Sequence, residues 1–167
     1  MKKFKNQKEL FAYFKENPDP LGVQKSGGYK EYTLEEIAKH NAKLNGVLNN
    51  IDFIESNLFD KIKNIKFDII VSNPPYIPTD EIKRLPKDVR QEPIIALDGG
   101  KDGLEFYKKI FNKGNEYLNR QGYLCVEIGY NQKETVKKII DKKERYVQTY
   151  CIKDLCQNDR VIVTQIG

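Results

Sequence analysis

The sequence is short of cysteine, of long apolar runs and of any strong excess of one charge. Its three cysteines, Cys125, Cys151 and Cys156, contain no C-x-x-C pair and are odd in number, which argues against a disulfide framework and against a zinc site. No apolar run approaches membrane-spanning length, and the start, MKKFKNQKELFAYF, is broken by charges every few residues, so a cytoplasmic chain without membrane contact is expected. Lys and Arg number 29 against 24 Asp and Glu, a net charge of +5 spread along the chain. That balance permits weak attraction to an anionic partner without requiring nucleic acid, and clusters such as KKIIDKKER read as solvated helix faces. There is no internal repeat and no low-complexity segment.

What is present is an alternation of strands and helices. Residues 4 to 16 place Phe4, Leu10, Phe11 and Phe14 at mostly helical spacing, and 17 to 32 are dense in proline and glycine, so 1–32 reads as a helix plus loop ahead of a main domain over 33–167. Thr33 is the expected N-cap of a helix, with Glu36 completing a capping box and Gly46 ending it. A short strand near Ile51 to Ile54 and a second from Phe67 to Ser72 are expected next. The region from Ile77 to Gly103, with Pro78, Pro86 and Pro93, is too long for an ordinary connection and is a candidate functional loop. A helix over Leu104 to Asn119, a strand over Gly122 to Ile128, a helix over Gln132 to Lys142 and an antiparallel pair near Val147 to Ile152 and Arg160 to Ile166 complete an α/β pattern.

The strand FDIIVS runs directly into NPPYIP. In open α/β sheets the ligand crevice lies beyond the carboxyl ends of the strands, so this loop faces whatever binds. Asn73 brings a side-chain oxygen acceptor and an amide donor; Pro74 lacks an N–H and fixes its own φ, freeing nearby carbonyls to point into the crevice; Tyr76 brings an aromatic face. Two oxygens and a ring can grip a planar amide or amino group by its two hydrogens and orient its nitrogen for in-line attack, with positioning and desolvation supplying most of the rate.

NPPY behind a strand resembles the substrate-nitrogen motif of S-adenosylmethionine-dependent amino-methyltransferases, both adenine-N6 and glutamine-N5. The continuation QEPIIALDGGKDGLEFYKKI, with AKHNAKLNGV, FIESNLFD, VEIGYNQ and KDLCQNDRVIV, is similar to the HemK/PrmC family, which methylates the glutamine of the GGQ loop of peptide-chain release factors. The resemblance covers about Leu34 to Val163. It implies a Rossmann-like class I methyltransferase sheet, S-adenosylmethionine as donor, a release factor as partner and no metal. It further implies that Asn73 and the carbonyl of Pro74 accept from the glutamine amide and that Tyr76 packs on it. Pro75, Glu92 and Pro93, with Ala96, Leu97, Gly99 and Gly100, would shape the wall for the GGQ loop. On the donor side it implies Asn57, Leu58 and Asn73, with Asn57 standing where the family has an acid that receives the adenine amino group.

Two departures accompany the resemblance. No turn close to D-x-G-x-G-x-G and no ribose-binding acid follow an early strand; Gly22, Gly27 and Gly28 do not fit the spacing. The first two strands of the family sheet are not evident either, so the sheet is expected to be incomplete at its amino-terminal side and open to a second chain that completes it. Three functions stay open: a glutamine methyltransferase segment, whether truncated or completed by another chain; a noncatalytic binder of a release factor or translation partner; and an adenine-N6 enzyme acting on nucleic acid. The DGGKDGLEF run argues against the last.

Plainer roles are expected elsewhere. His40 reads as a solvated helix position, Cys125 as a small core residue, and Asp159 with Arg160 as a structural anchor before the last strand. Glu127, at a strand end, is either structural or orients a loop, and Gly99, Gly100 and Gly103 are turn formers.

Overall fold

A computed structural model describes residues 33–167; the helix and loop expected over 1–32 lie outside them. The chain divides into two compact units, Met1–Ser56 and Asn57–Gly167.

In the first unit, helix α1 (Leu34–Leu44) begins at the predicted capping box: the Thr33 hydroxyl accepts from the Glu36 N–H and the Glu36 carboxylate accepts from the Thr33 N–H. Asn45 caps its other end, followed by Gly46 at φ 71°, in the left-handed region that glycine reaches without strain. His40 departs from expectation. It is half-buried, and its Nε2 is shielded from solvent without a hydrogen-bond partner among the described residues. Ile51 to Ile54 form no strand, a second correction: an apolar run becomes a strand only with a ladder partner, and both isoleucines stay exposed.

The second unit is built on a mixed sheet of four strands in the order β1-β2-β4-β3. Strand β1 (Phe67–Ser72) lies parallel to β2 (Leu118–Glu127), while β4 (Asp159–Ile166) lies antiparallel to both β2 and β3 (Tyr146–Lys153), as the short connection between the last two strands requires. Between β1 and β2 come a one-turn helix α2 (Ile94–Leu97) and helix α3 (Glu105–Lys113); α4 (Lys133–Ile140) follows β2. Helix α3 is shorter than the predicted Leu104–Asn119. Gly114 weakens the helix, and the Tyr117 carbonyl is taken by the Phe67 N–H at 2.8 Å as the chain enters the sheet.

Period-two alternation divides the sheet into unlike faces. Leu124 and Val126 of β2 and Ile162 and Ile166 of β4 meet Tyr107, Ile110 and Phe111 of α3 and Val136 and Ile140 of α4 in one apolar cluster. The register of the strands puts Ile69 and Val71 on the other face, with Tyr123 and Cys125 beside them on β2 and Val161 and Val163 beyond on β4. At the β1 edge this face is open: Ile69 is 59% exposed and Val71 77%. Cys125, expected in the core, is only half-buried because the odd-numbered positions of β2 point away from the helices. Arg160 pairs across the hairpin with Asp154 at 3.0 Å, whereas Asp159 approaches Lys133 at 3.6 Å.

Two buried phenols tie the core to the backbone. Tyr107 reaches the Glu127 carbonyl at 3.2 Å, and Tyr146 donates to the Phe111 carbonyl at 3.1 Å. Burial raises both above the ordinary phenol value of 10.0, Tyr146 to about 12 and Tyr107 further. The unfolded chain therefore loses these protons first, so stability holds below pH 10 and falls as pH rises through the interval up to the folded values, by about 1.4 kcal/mol per pH unit for each tyrosine. Urea unfolding across the alkaline range measures this slope; Tyr107→Phe is expected to remove about one proton's share of it, and an unchanged slope would contradict the assignment.

Candidate functional site

Because β1 and β2 are parallel and Ser72 registers with Val126, the segments leaving their carboxyl ends emerge side by side. One is Asn73–Tyr76 and the other is Glu127–Gly129, and they are joined by the Tyr76 hydroxyl donating to the Glu127 carboxylate at 3.2 Å. Glu127 thus orients the loop, the functional alternative open from its place in the sequence. Burial first, and then the Glu127 carboxylate, push the Tyr76 phenol above its ordinary value, so the ring presents a neutral hydroxyl.

The loop is fixed on its other side by the return of the chain through 97–103. Ile77 donates to the Leu97 carbonyl at 3.0 Å and accepts from the Gly99 N–H at 2.8 Å, while Thr79 donates from its backbone to the Gly100 carbonyl at 3.0 Å and from its hydroxyl to Asp98 at 2.8 Å. Two glycines are demanded by this approach. A Cβ on Gly99 would lie 2.7 Å from the Tyr76 Cα, and one on Gly103, which sits at φ 70°, would collide with the Tyr76 carbonyl oxygen. These are turn formers whose turns press against the loop.

The result is a cavity of about 350 Å³ lined by Asn73, Pro74, Tyr76, Ile77, Val89, Glu92, Ala96 and Leu97. Pro74 is buried and Asn73 exposed at its mouth, and among the described residues the Asn73 side-chain amide has no hydrogen-bond partner, which leaves its oxygen and nitrogen for a ligand. Of the residues expected at the substrate, Asn73, Pro74, Tyr76 and Glu92 converge here with Ala96 and Leu97, while Pro75 and Pro93 are not among the lining residues. Val89 is a wall residue that sequence reading did not single out; it sits in a one-turn 3-10 helix, Val89–Gln91, inside the long loop.

Asn57 and Leu58 lie elsewhere. They line a cavity of about 300 Å³ with Phe59, Asp60 and Lys109, Asn112 and Lys113 of α3. Phe59 stacks on Tyr117 at 4.6 Å, just before β2 begins, so this segment is held at the starting ends of β1 and β2 and Asn73 at their finishing ends. Among the described residues the glycines at positive φ are Gly46, which closes α1, and Gly100 and Gly103, which serve the Tyr76 loop. No helix among the described residues is long and apolar enough to cross a membrane.

A family model described as Eco57I restriction-modification methylase matches residues 2–157. The release factor glutamine methyltransferase of Aquifex aeolicus is 41% identical over 130 residues, covering 78% of this chain and 46% of its own. That of Fusobacterium nucleatum subsp. nucleatum is 44% identical over 146 residues, covering 84% and 41% respectively. The chain spans about half the length of the curated relatives it matches. Among solved structures, a methyltransferase from Pyrococcus furiosus superposes with a TM-score of 0.52 at 21% identity over 79% of this chain and 59% of its own, and that likeness shows the Rossmann-like methyltransferase fold.

Proposed function

We propose, since this chain belongs to the family described as Eco57I restriction-modification methylases and is homologous over most of its length to release factor glutamine methyltransferases, that its loop cavity holds a glutamine side-chain amide for N5-methylation. The observation carrying this is the convergence of Asn73, Pro74 and Tyr76 in one cavity at the carboxyl end of β1. The Asn73 oxygen and the Pro74 carbonyl accept the two amide hydrogens, the Tyr76 ring covers the amide plane, and Glu92, Ala96 and Leu97 wall the backbone that carries the glutamine. Fixing both hydrogens leaves the nitrogen one direction of attack, and the buried Pro74 side excludes water from it.

The methyl donor implied by this family is S-adenosylmethionine. The loop cavity supplies the amide side of the reaction; of the residues the family implies on the donor side, Asn57 and Leu58 line the other cavity and Asn73 the loop cavity. The partner is a peptide-chain release factor offering its Gly-Gly-Gln loop in the cytoplasm. Among the described residues the outer edge of β1 has no strand partner, which supports completion of the sheet by a further strand from a longer or second chain.

A second reading, adenine-N6 methylation of nucleic acid, has the description of the family model in its favour. Incubating the protein with methyl-labelled S-adenosylmethionine and, in parallel, a release factor or an adenine-containing DNA duplex separates the two. Label on the glutamine of the release factor is the expected result. Label on DNA alone selects the second reading, and label on neither with retained release-factor binding selects a noncatalytic binder.

A further inference from the structure

We infer that Gln132 is the positioning residue of the amide-binding loop, a clamp whose side chain fixes the Tyr76 carbonyl and with it the geometry of Asn73 and Pro74. The inference rests on the reading of that loop as the substrate-amide site. Gln132 stands at the N-cap of α4, five residues beyond the end of β2, and is only 9% exposed. Its backbone already serves the local turn, donating to the Gly129 carbonyl at 2.9 Å and accepting from the Val136 N–H at 2.9 Å. The side chain is therefore free to work across the sheet end.

Every hydrogen-bonding position of that side chain is used. Oε1 accepts from the Gly129 N–H at 2.9 Å and lies 3.0 Å from the Tyr107 hydroxyl; Nε2 donates to the Tyr76 carbonyl at 3.0 Å and to the Gly103 carbonyl at 3.4 Å. The Gly129 N–H faces the oxygen and two carbonyls face the nitrogen, so only one amide orientation satisfies them; the single Tyr107 hydroxyl proton is shared between Oε1 and the Glu127 carbonyl. The partners belong to four stretches: the Tyr76 loop, the 99–103 turn, α3 and the end of β2. Gly103, which cannot carry a Cβ against the Tyr76 carbonyl, lets this convergence close. With the Glu127 contact to the Tyr76 hydroxyl, the clamp holds Tyr76 at both its backbone and its ring tip.

A residue that merely stabilised the core would slow exchange of all amides together, whereas a clamp protects one segment. In Gln132→Met, measured on the full chain by amide hydrogen exchange, the Ile77, Thr79 and Gly99 amides are expected to exchange about tenfold or more faster, and the Cys125 and Val163 amides in the sheet less than about twofold faster. Gln132→Glu keeps the acceptor for Gly129 and sets a carboxylate oxygen against the two carbonyls, so it loosens the same amides and decides the matter if the methionine variant fails to fold. Unchanged exchange at Ile77, or acceleration spread evenly over sheet and loop, would overturn the clamp. Binding of a Gly-Gly-Gln peptide, read on the same samples, separates the two levels. Loosened amides with no peptide binding in the parent chain leave the clamp standing and remove the glutamine substrate, and peptide binding with unaltered exchange does the reverse.

Discussion

Asn73→Ala is expected to lower methyl transfer to a Gly-Gly-Gln acceptor by about two to three orders of magnitude, with the affinity for the methyl donor within about twofold of the parent protein. The magnitude follows from what is removed. The Asn73 side-chain amide, without a hydrogen-bond partner among the described residues, lines the cavity with Pro74, Tyr76 and Glu92 and is the group placed to fix the amide hydrogens. Without it the amide keeps the Pro74 carbonyl and the Tyr76 ring, enough for contact, but the nitrogen is free to swing about the remaining hydrogen bond. Loss of alignment appears in kcat more than in KM, whereas loss of simple binding would appear in KM alone. Single-turnover transfer with parent and variant side by side measures it. Equal rates would remove Asn73 from the reaction and leave the loop as a docking surface only.

The loop was legible because several local signals agree there. FDIIVS has strand propensity and ends at an asparagine and two prolines, so both the strand and its stop could be read, and the structure gives Phe67–Ser72 as expected. The crevice rule then aimed Asn73 and Tyr76 at the site without any tertiary information. Val89 escaped because nothing local marks one side chain in an irregular loop as a wall. Gln132 escaped for a different reason: three of its four side-chain partners are 25 to 56 residues away, and an amide side chain near a helix start reads as a cap. The second of two parallel strands obeys the same crevice rule as the first; it raised Glu127, and carrying it on to Gln132 would have raised that residue as well. Ile51 to Ile54 shows the opposite failure. The run has the composition of a strand, but strand formation is a property of pairs, and propensity says nothing about whether a partner is there.

The same contrast between composition and surroundings sets the largest stability difference expected in the molecule. Phe111→Ala should cost about 3–5 kcal/mol, a large part of the 5–15 kcal/mol typical of a folded domain, whereas Val71→Ala should cost below about 0.5 kcal/mol. Both residues are apolar and both belong to regular elements. Phe111 is fully buried, meets the Tyr146 ring edge-on at 5.8 Å, and offers its carbonyl to the Tyr146 hydroxyl, so truncation opens a cavity in the cluster that joins α3 to the sheet. Val71 belongs to the apolar run of β1 yet is 77% exposed, so removing its two methyls changes little that is out of water. Urea denaturation of the two variants measures the difference directly. Comparable costs would mean that the face bearing Val71 is covered in solution, by a helix layer or another molecule.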